Sequence, residues 1–260
     1  MATPTHILTD THTHIYYNIR TEKMQEQIDR CKANNITRLF LPNVDVESID
    51  LISDSIQAYP ENCYAMLGLH PCSVKEDYLE QLSKIQEASK NMPVYAIGEI
   101  GMDLYWDTST KEWQQEAFKL QIQWAKSLDL PINIHCREAF DETFEILEEL
   151  KDEKLRGIFH CFTGNLEQAH RAINLGFKLG IGGVVTFKKA GLDKVVKEID
   201  LEHIVLETDS PYLAPSPYRG KENESSYLLY VAQKVADLHE ISLEKVADIT
   251  TKNSIDIFGI

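Results

Sequence analysis

The chain is poor in cysteine, short of positive charge and without any long apolar run. Its five cysteines, Cys31, Cys63, Cys72, Cys136 and Cys161, are odd in number, far apart and free of any Cys-x-x-Cys pair. That pattern argues against a disulfide framework and a zinc ribbon, and reduced thiols are expected. No apolar stretch approaches the roughly 20 residues needed to cross a bilayer. Met1 to Thr5 is short and polar, with no charged-then-apolar leader. A cytoplasmic protein with no membrane partner is expected. Lys and Arg total 26 against 41 Asp and Glu, a formal charge of −15. A protein that coats nucleic acid would carry a basic stripe, so that class is disfavoured. A phosphate-containing substrate is not, because bound divalent ions and a few local cations can make a focused anion site. Acidic runs such as Glu138 to Glu153 read as solvated helix surface.

What is present is an alternation of short apolar runs and amphipathic segments along 260 residues, 43% of them hydrophobic. Strand-like runs occur at Ile7-Leu8, Arg38 to Leu41, Tyr64 to Leu69, Val94 to Ile97, Pro131 to Ile134, Ile158-Phe159, Phe177 to Ile181 and Ile204 to Glu207. Helical spacing lies between them, over 22–34, 48–59, 78–91, 112–128, 140–150, 166–175 and 192–199, with closing helices over 227–239 and 243–258. Eight such alternations predict a single-domain (β/α)8 TIM barrel over residues 1–260, a length usual for that fold.

Polarity at the strand ends points the same way. His12 and His14, His70, Glu99, His135, His160 and Asp209 each stand where an apolar run gives way to a polar loop. Active sites of these barrels gather at that mouth, from different strands. In Asp10-Thr11-His12-Thr13-His14 the two imidazoles are two residues apart, so an extended strand puts both on one face, within reach of one cation. Imidazole and carboxylate donors without cysteine suit Zn, Mn, Fe, Co or Ni, whereas a Mg site is more often all oxygen. His6, His170, His203 and His239 show no such convergence. Cys136 and Cys161 each follow a histidine at a strand end, so alternation is expected to aim them away from the site.

The segments Asp10-Thr11-His12-Thr13-His14, Gly68-Leu69-His70-Pro71, Ile97-Gly98-Glu99-Ile100-Gly101-Met102-Asp103, His135-Cys136-Arg137, His160-Cys161-Phe162-Thr163-Gly164 and Glu207-Thr208-Asp209-Ser210-Pro211-Tyr212-Leu213 resemble, in order and spacing, the signatures of the TatD family of metal-dependent hydrolases. The resemblance implies a deoxyribonuclease-type enzyme, 3′-5′ exonuclease-like on single-stranded DNA, with two divalent ions per chain (Zn, Mn, Mg, Co or Ni). It implies that His12 and His14 bind the first ion, Glu99 bridges, His135 and His160 hold the second, and Asp209 ligates the first beside the attacking water. One local departure is visible. The family pattern Arg-Gly-Lys-x-Asn-x-Pro is met here by Arg219 to Ser225, with serine in place of proline.

Two ions can lower the pKa of a water toward neutrality, and an acid beside it can move its proton. Asp209 is the expected catalytic acid/base. Glu207, two residues earlier on the same strand face, reads as the acceptor that orients a ligand histidine. His70, Arg137, Arg219 and Lys221 are candidates for the substrate phosphate, and Tyr105 and Trp106 for stacking on a base. Expected partners are nucleic-acid ends or small phosphodiesters, acted on by a monomer. An ester or amide hydrolase on the same metals, such as an aminoacyl-tRNA deacylase, is the alternative. A non-catalytic scaffold would predict a damaged ligand set, and none is seen.

Overall fold

The computed structural model describes residues 6–260, so the expectation for Met1 to Thr5 lies outside the described residues. Eight parallel strands follow the chain in order: β1 (Leu8–Asp10), β2 (Ile36–Pro42), β3 (Cys63–Leu67), β4 (Val94–Asp103), β5 (Ile132–Arg137), β6 (Gly157–Phe159), β7 (Phe177–Ile181) and β8 (Ile204–Leu206). The ring is closed beyond the formal strand ends. Thr11 N–H donates to Leu206 O at 3.0 Å, Asp209 N–H to His12 O at 2.9 Å, and His14 N–H to Ser210 O at 2.8 Å. The result is the expected (β/α)8 barrel.

Helices α1 (Glu22–Ala33), α2 (Ser48–Ala58), α3 (Tyr78–Ala88), α4 (Lys111–Ser127), α5 (Phe140–Glu149), α6 (Leu166–Asn174), α7 (Leu192–Glu198), α8 (Leu228–His239) and α9 (Leu243–Phe258) surround it. They bury apolar faces against the outward residues of the strands, such as Leu39, Leu41, Ile97 and Ile134. α6 shows how a local signal sets a boundary. Asn165 Oδ1 accepts the Gln168 N–H and Gln168 Oε1 accepts the Asn165 N–H, both at 2.9 Å, a capping box that satisfies two donors at the helix start.

Strand alternation stacks the barrel interior in layers. Phe40, Met66, Ala96, Ile158 and Val205 form an apolar plug with Ile257 and Phe258 of α9, and the Phe40 and Phe258 rings stack at 3.7 Å. One step of two residues further along, Ile158 gives way to His160 and Val205 to Glu207. The polar site therefore rests on a dry floor.

One strand differs from its expected length. β4 runs past Ile97 to Asp103, with a register shift against β5 between Ile97 and Ile100. Gly98 and Gly101 let β4 press against β5. A Cβ on Gly101, whose φ is +136°, would lie 2.1 Å from His135 O, and one on Gly98 would lie 2.6 Å from Asn133 Cβ. Glu99 thus projects from within a strand rather than from a loop.

Candidate metal centre

The structure brings His12, His14, His70, Glu99, His135, His160 and Asp209 together at the C-terminal mouth of the barrel. Glu99 is 2% exposed and stands in the middle. Its Oε2 lies 3.3 Å from His12 Nε2 and 3.9 Å from His14 Nε2. Its Oε1 lies 2.8 Å from His135 Nδ1, 3.0 Å from His160 Nε2 and 3.3 Å from His70 Nε2. Asp209 Oδ1 joins the first group, 3.5 Å from His14 Nε2 and 3.8 Å from His12 Nε2. The two oxygens of one carboxylate are therefore divided between two sets of nitrogen donors.

The donor set fits cations on two counts. Bonds of about 2.1 Å from a tetrahedral ion to nitrogen and oxygen place its ligands roughly 3.4 Å apart, close to the spacings around Glu99 Oε2. The tautomers also agree. Tyr16 donates its hydroxyl proton to Pro42 O at 2.8 Å, so its oxygen accepts the proton of His14 Nδ1, also at 2.8 Å. Asn133 Oδ1 accepts from His12 Nδ1 at 2.8 Å. Glu207 Oε1 accepts from His160 Nδ1 at 3.1 Å, and Asp103 Oδ2 accepts from His135 Nε2 at 2.8 Å. In its neutral form, the one a metal ligand takes, each ring would have a lone pair facing Glu99 or Asp209.

His70 is set the other way. The Cys72 backbone N–H donates to its Nδ1 at 3.0 Å, so the neutral ring carries its proton on Nε2, the atom that faces Glu99 and His135. Although His70, Glu99 and His135 donors lie within 4.8 Å of one another, His70 is built as a hydrogen-bond donor.

Charge follows from this packing. Burial works to raise the Glu99 carboxyl, but the His160, His70 and His12 imidazoles outweigh it and hold it well below the usual range. Burial likewise opposes ionisation of Asp209, and the His14 hydrogen bond with the neighbouring imidazoles keeps it below the ordinary value. Burial lowers His14 and His70, which stay neutral. For His160 the burial effect is overcome by Glu99 and Glu207, which raise it well above the usual imidazole value.

Several partners went unassigned in the sequence. Asp103, Asn133 and Tyr16 each hold the far nitrogen of a clustered imidazole. Asp103 was open to discovery, because it sits four residues after Glu99 on the same strand. Asp10 is fully buried and accepts from Thr208 N at 2.9 Å and Thr208 Oγ1 at 2.6 Å, tying β1 to the strand end that carries Asp209. Burial first, with Glu207 adding to it, pushes its carboxyl up to about 7 against the bonds from Thr208 and Ser225. Ser225, at the position where the family pattern has proline, is buried and its hydroxyl meets Thr13 Oγ1 at 2.8 Å.

A cavity of about 640 Å³ opens above the donors. Arg137 lines it, with its guanidinium 3.8 Å from the Tyr105 ring centre and 5.3 Å from that of Trp106. The structure does not bring Arg219 and Lys221 into the lining. Both are exposed, with Arg219 lying 4.4 Å over Phe187 and Lys221 5.8 Å from the Tyr218 ring. Cys136 and Cys161 both border the cavity, but Cys136 Sγ turns outward to Thr143 Oγ1 of α5 at 3.4 Å, as alternation predicts, and only Cys161 departs from that expectation. For Cys161 the reason is local: it follows the end of β6 with φ +43°, so strand geometry no longer governs where its side chain goes.

The family model described as TatD related DNase matches residues 9–259. The chain belongs to that family. This TatD chain is 42% identical over 255 residues to the metal-dependent hydrolase YabD of Bacillus subtilis, covering 98% of the chain and 100% of that relative. It is 32% identical over 263 residues to the metal-dependent hydrolase YcfH of Escherichia coli, covering 97% and 96%. The crystal structure of YjjV, a TatD homologue from Escherichia coli, superposes with a TM-score of 0.91 at 27% identity, covering 97% and 98%. The TatD barrel is thus a metal-dependent hydrolase. Among the described residues no helix is long and apolar enough to cross a membrane.

Proposed function

We propose that the protein is a deoxyribonuclease that hydrolyses phosphodiesters at the 3′ ends of single-stranded DNA. The observation that carries an anionic substrate is Arg137. It is the sole Lys or Arg lining the cavity, and among the described residues no carboxylate or other hydrogen-bond partner engages its guanidinium. A free planar fork of donors at the mouth suits a phosphate better than a neutral ester.

In this reading His12, His14 and Asp209 would hold one divalent ion and His135 and His160 a second, with Glu99 offering a carboxylate oxygen to each group. When bound, such a pair of ions makes water acidic enough to ionise near neutral pH and polarises a phosphoryl oxygen. Asp209, anionic at neutral pH, accepts the proton of the attacking water as its oxygen adds to phosphorus. It then returns that proton to the 3′ oxygen of the shortened strand as the P–O bond to it breaks. His70 Nε2–H donates to a non-bridging phosphate oxygen, and Arg137 pairs with the same group. Glu207 keeps the His160 ring turned. The reading makes no use of Arg219 or Lys221. It includes a cytoplasmic monomer, since five unpaired thiols suit a reducing compartment.

The test is degradation of end-labelled single-stranded DNA by protein loaded with Mg, Mn, Co or Zn, with chelated enzyme and Asp209→Asn as controls. Stepwise shortening that needs metal and Asp209 is expected. Intact DNA under every metal, with two ions bound, would move the substrate to esters or amides.

A further inference from the structure

The geometry points to an aromatic mouth that grips unstacked bases from two sides. We infer that short single-stranded ends are selected by stacking, with polyanion attraction contributing little. The inference rests on the phosphodiesterase reading above and names what that site recognises.

Two large rings at the mouth face water. Trp106 is 70% exposed and Tyr212 52%, and both line the cavity. Such apolar area left in solvent beside a polar site is a mark of a binding surface. Trp106 follows β4 and Tyr212 follows β8. In a ring of eight strands closed in chain order, those two strands stand on opposite sides. The rings therefore flank the donor cluster rather than pack on each other.

Both sides are backed. Tyr212 meets the His14 ring edge-on at 5.9 Å, and Tyr17 lies parallel to His14 at 5.5 Å. Across the mouth, Trp106 meets Tyr105 edge-on at 4.8 Å, and the face of Tyr105 is taken by Arg137. Asp103 Oδ1 accepts the Tyr105 N–H at 3.0 Å and the Trp106 N–H at 3.4 Å, so the carboxylate that orients His135 also starts this rim. A dinucleotide unit fits the chemistry: one base on Trp106, the next against Tyr212, and the diester between them beside Arg137.

Charge makes stacking necessary. The chain carries −15 overall, and Arg137 is the single Lys or Arg in the lining. A single strand held by phosphate contacts loses affinity with salt at a slope of about −0.7 per phosphate neutralised, so one arginine gives a shallow dependence. Stacking has no such dependence and accepts any base.

The test uses Zn-loaded Asp209→Asn protein, which binds without turnover, titrated with a thymidine dinucleotide and with the same dinucleotide lacking both bases. The expected result is quenching of tryptophan fluorescence by the thymidine compound, lost in Trp106→Phe, and at least fivefold weaker binding of the abasic one. Trp106→Ala and Tyr212→Ala should each weaken the thymidine compound by roughly 5- to 150-fold, the usual worth of one stacked base. For a ten-residue thymidine single strand bound to the same protein, the slope of log affinity against log salt should still lie near −0.7. Equal affinity for the two dinucleotides, or a slope of about −3 or steeper, overturns the inference. DNA cleavage by the wild type with equal dinucleotide affinities would sink the mouth and spare the phosphodiesterase. Base-dependent quenching with intact DNA would do the reverse.

Discussion

Asp103 Oδ2 lies 2.8 Å from His135 Nε2, and the same side chain accepts the Tyr105 N–H through its other oxygen. One carboxylate orients an imidazole on the floor and anchors a loop at the rim. Its own carboxyl, which burial works to raise, is held at about 2 by the His135 hydrogen bond and charge. Asp103→Ala is expected to weaken metal binding by about 10- to 100-fold, the usual loss when the acceptor behind a ligand imidazole is removed. Asp103→Asn, which keeps an acceptor oxygen, should lose less. Calorimetric titration of chelated protein reads the difference, and unchanged affinity in both would confine Asp103 to holding the loop.

Asp209→Asn should keep the fold and most of the metal while losing at least about two orders of magnitude in turnover, the usual worth of a positioned acid/base. Its backbone is held by the bond to His12 O and by the Tyr212 N–H donating to Asp209 O at 2.8 Å, neither of which needs the carboxylate. Single-turnover rates at matched metal content measure it. Near-normal turnover would remove Asp209 from the proton path.

Glu99→Ala should lower the number of ions bound per chain, because both donor groups meet at its two oxygens. Elemental analysis after dialysis is the measurement. Two ions still bound would rule out a shared carboxylate.

Asp10 provides a pH dependence of stability. Its folded carboxyl sits at about 7 against an ordinary 3.8. Between those values the native protein holds a proton that the unfolded chain has released, so stability from this group is present at low pH and is lost as pH rises toward 7. By linkage the loss is on the order of 4 kcal/mol. Chelated wild type and Asp10→Asn, compared by denaturant midpoints at pH 5 and pH 8, should differ in slope, with the asparagine protein losing less on the way up. Parallel behaviour of the two would show that Asp10 titrates normally.

The alternation of strands and helices was legible because each strand of this barrel is a short buried run, and each helix keeps a wet face. The clustering of His12, His14, Glu99, His135, His160 and Asp209 was legible for a related reason: a polar residue closing an apolar run stands at the mouth. The supports were not. Asn133 and Asp103 face imidazoles carried by other strands, pairings that only the folded ring shows, and Tyr16 reaches His14, two residues before it, through the turn that follows β1. Cys161 was misplaced because strand alternation was extended two residues past the end of β6. That Arg219 and Lys221 lie outside the cavity lining was not legible either, because charge in a loop says nothing of which way the loop carries it.

The seam where the last strand meets the first has a meaning for biosynthesis. His12 emerges early and Asp209 late, and the bonds joining Asp209 to His12 O and Thr208 to Asp10 close the ring between them. A nascent chain still short of that point can bury much of its helix-facing surface but cannot complete the first donor group. Until the eighth strand arrives, His12 and His14 stand without the Asp209 carboxylate that completes their group.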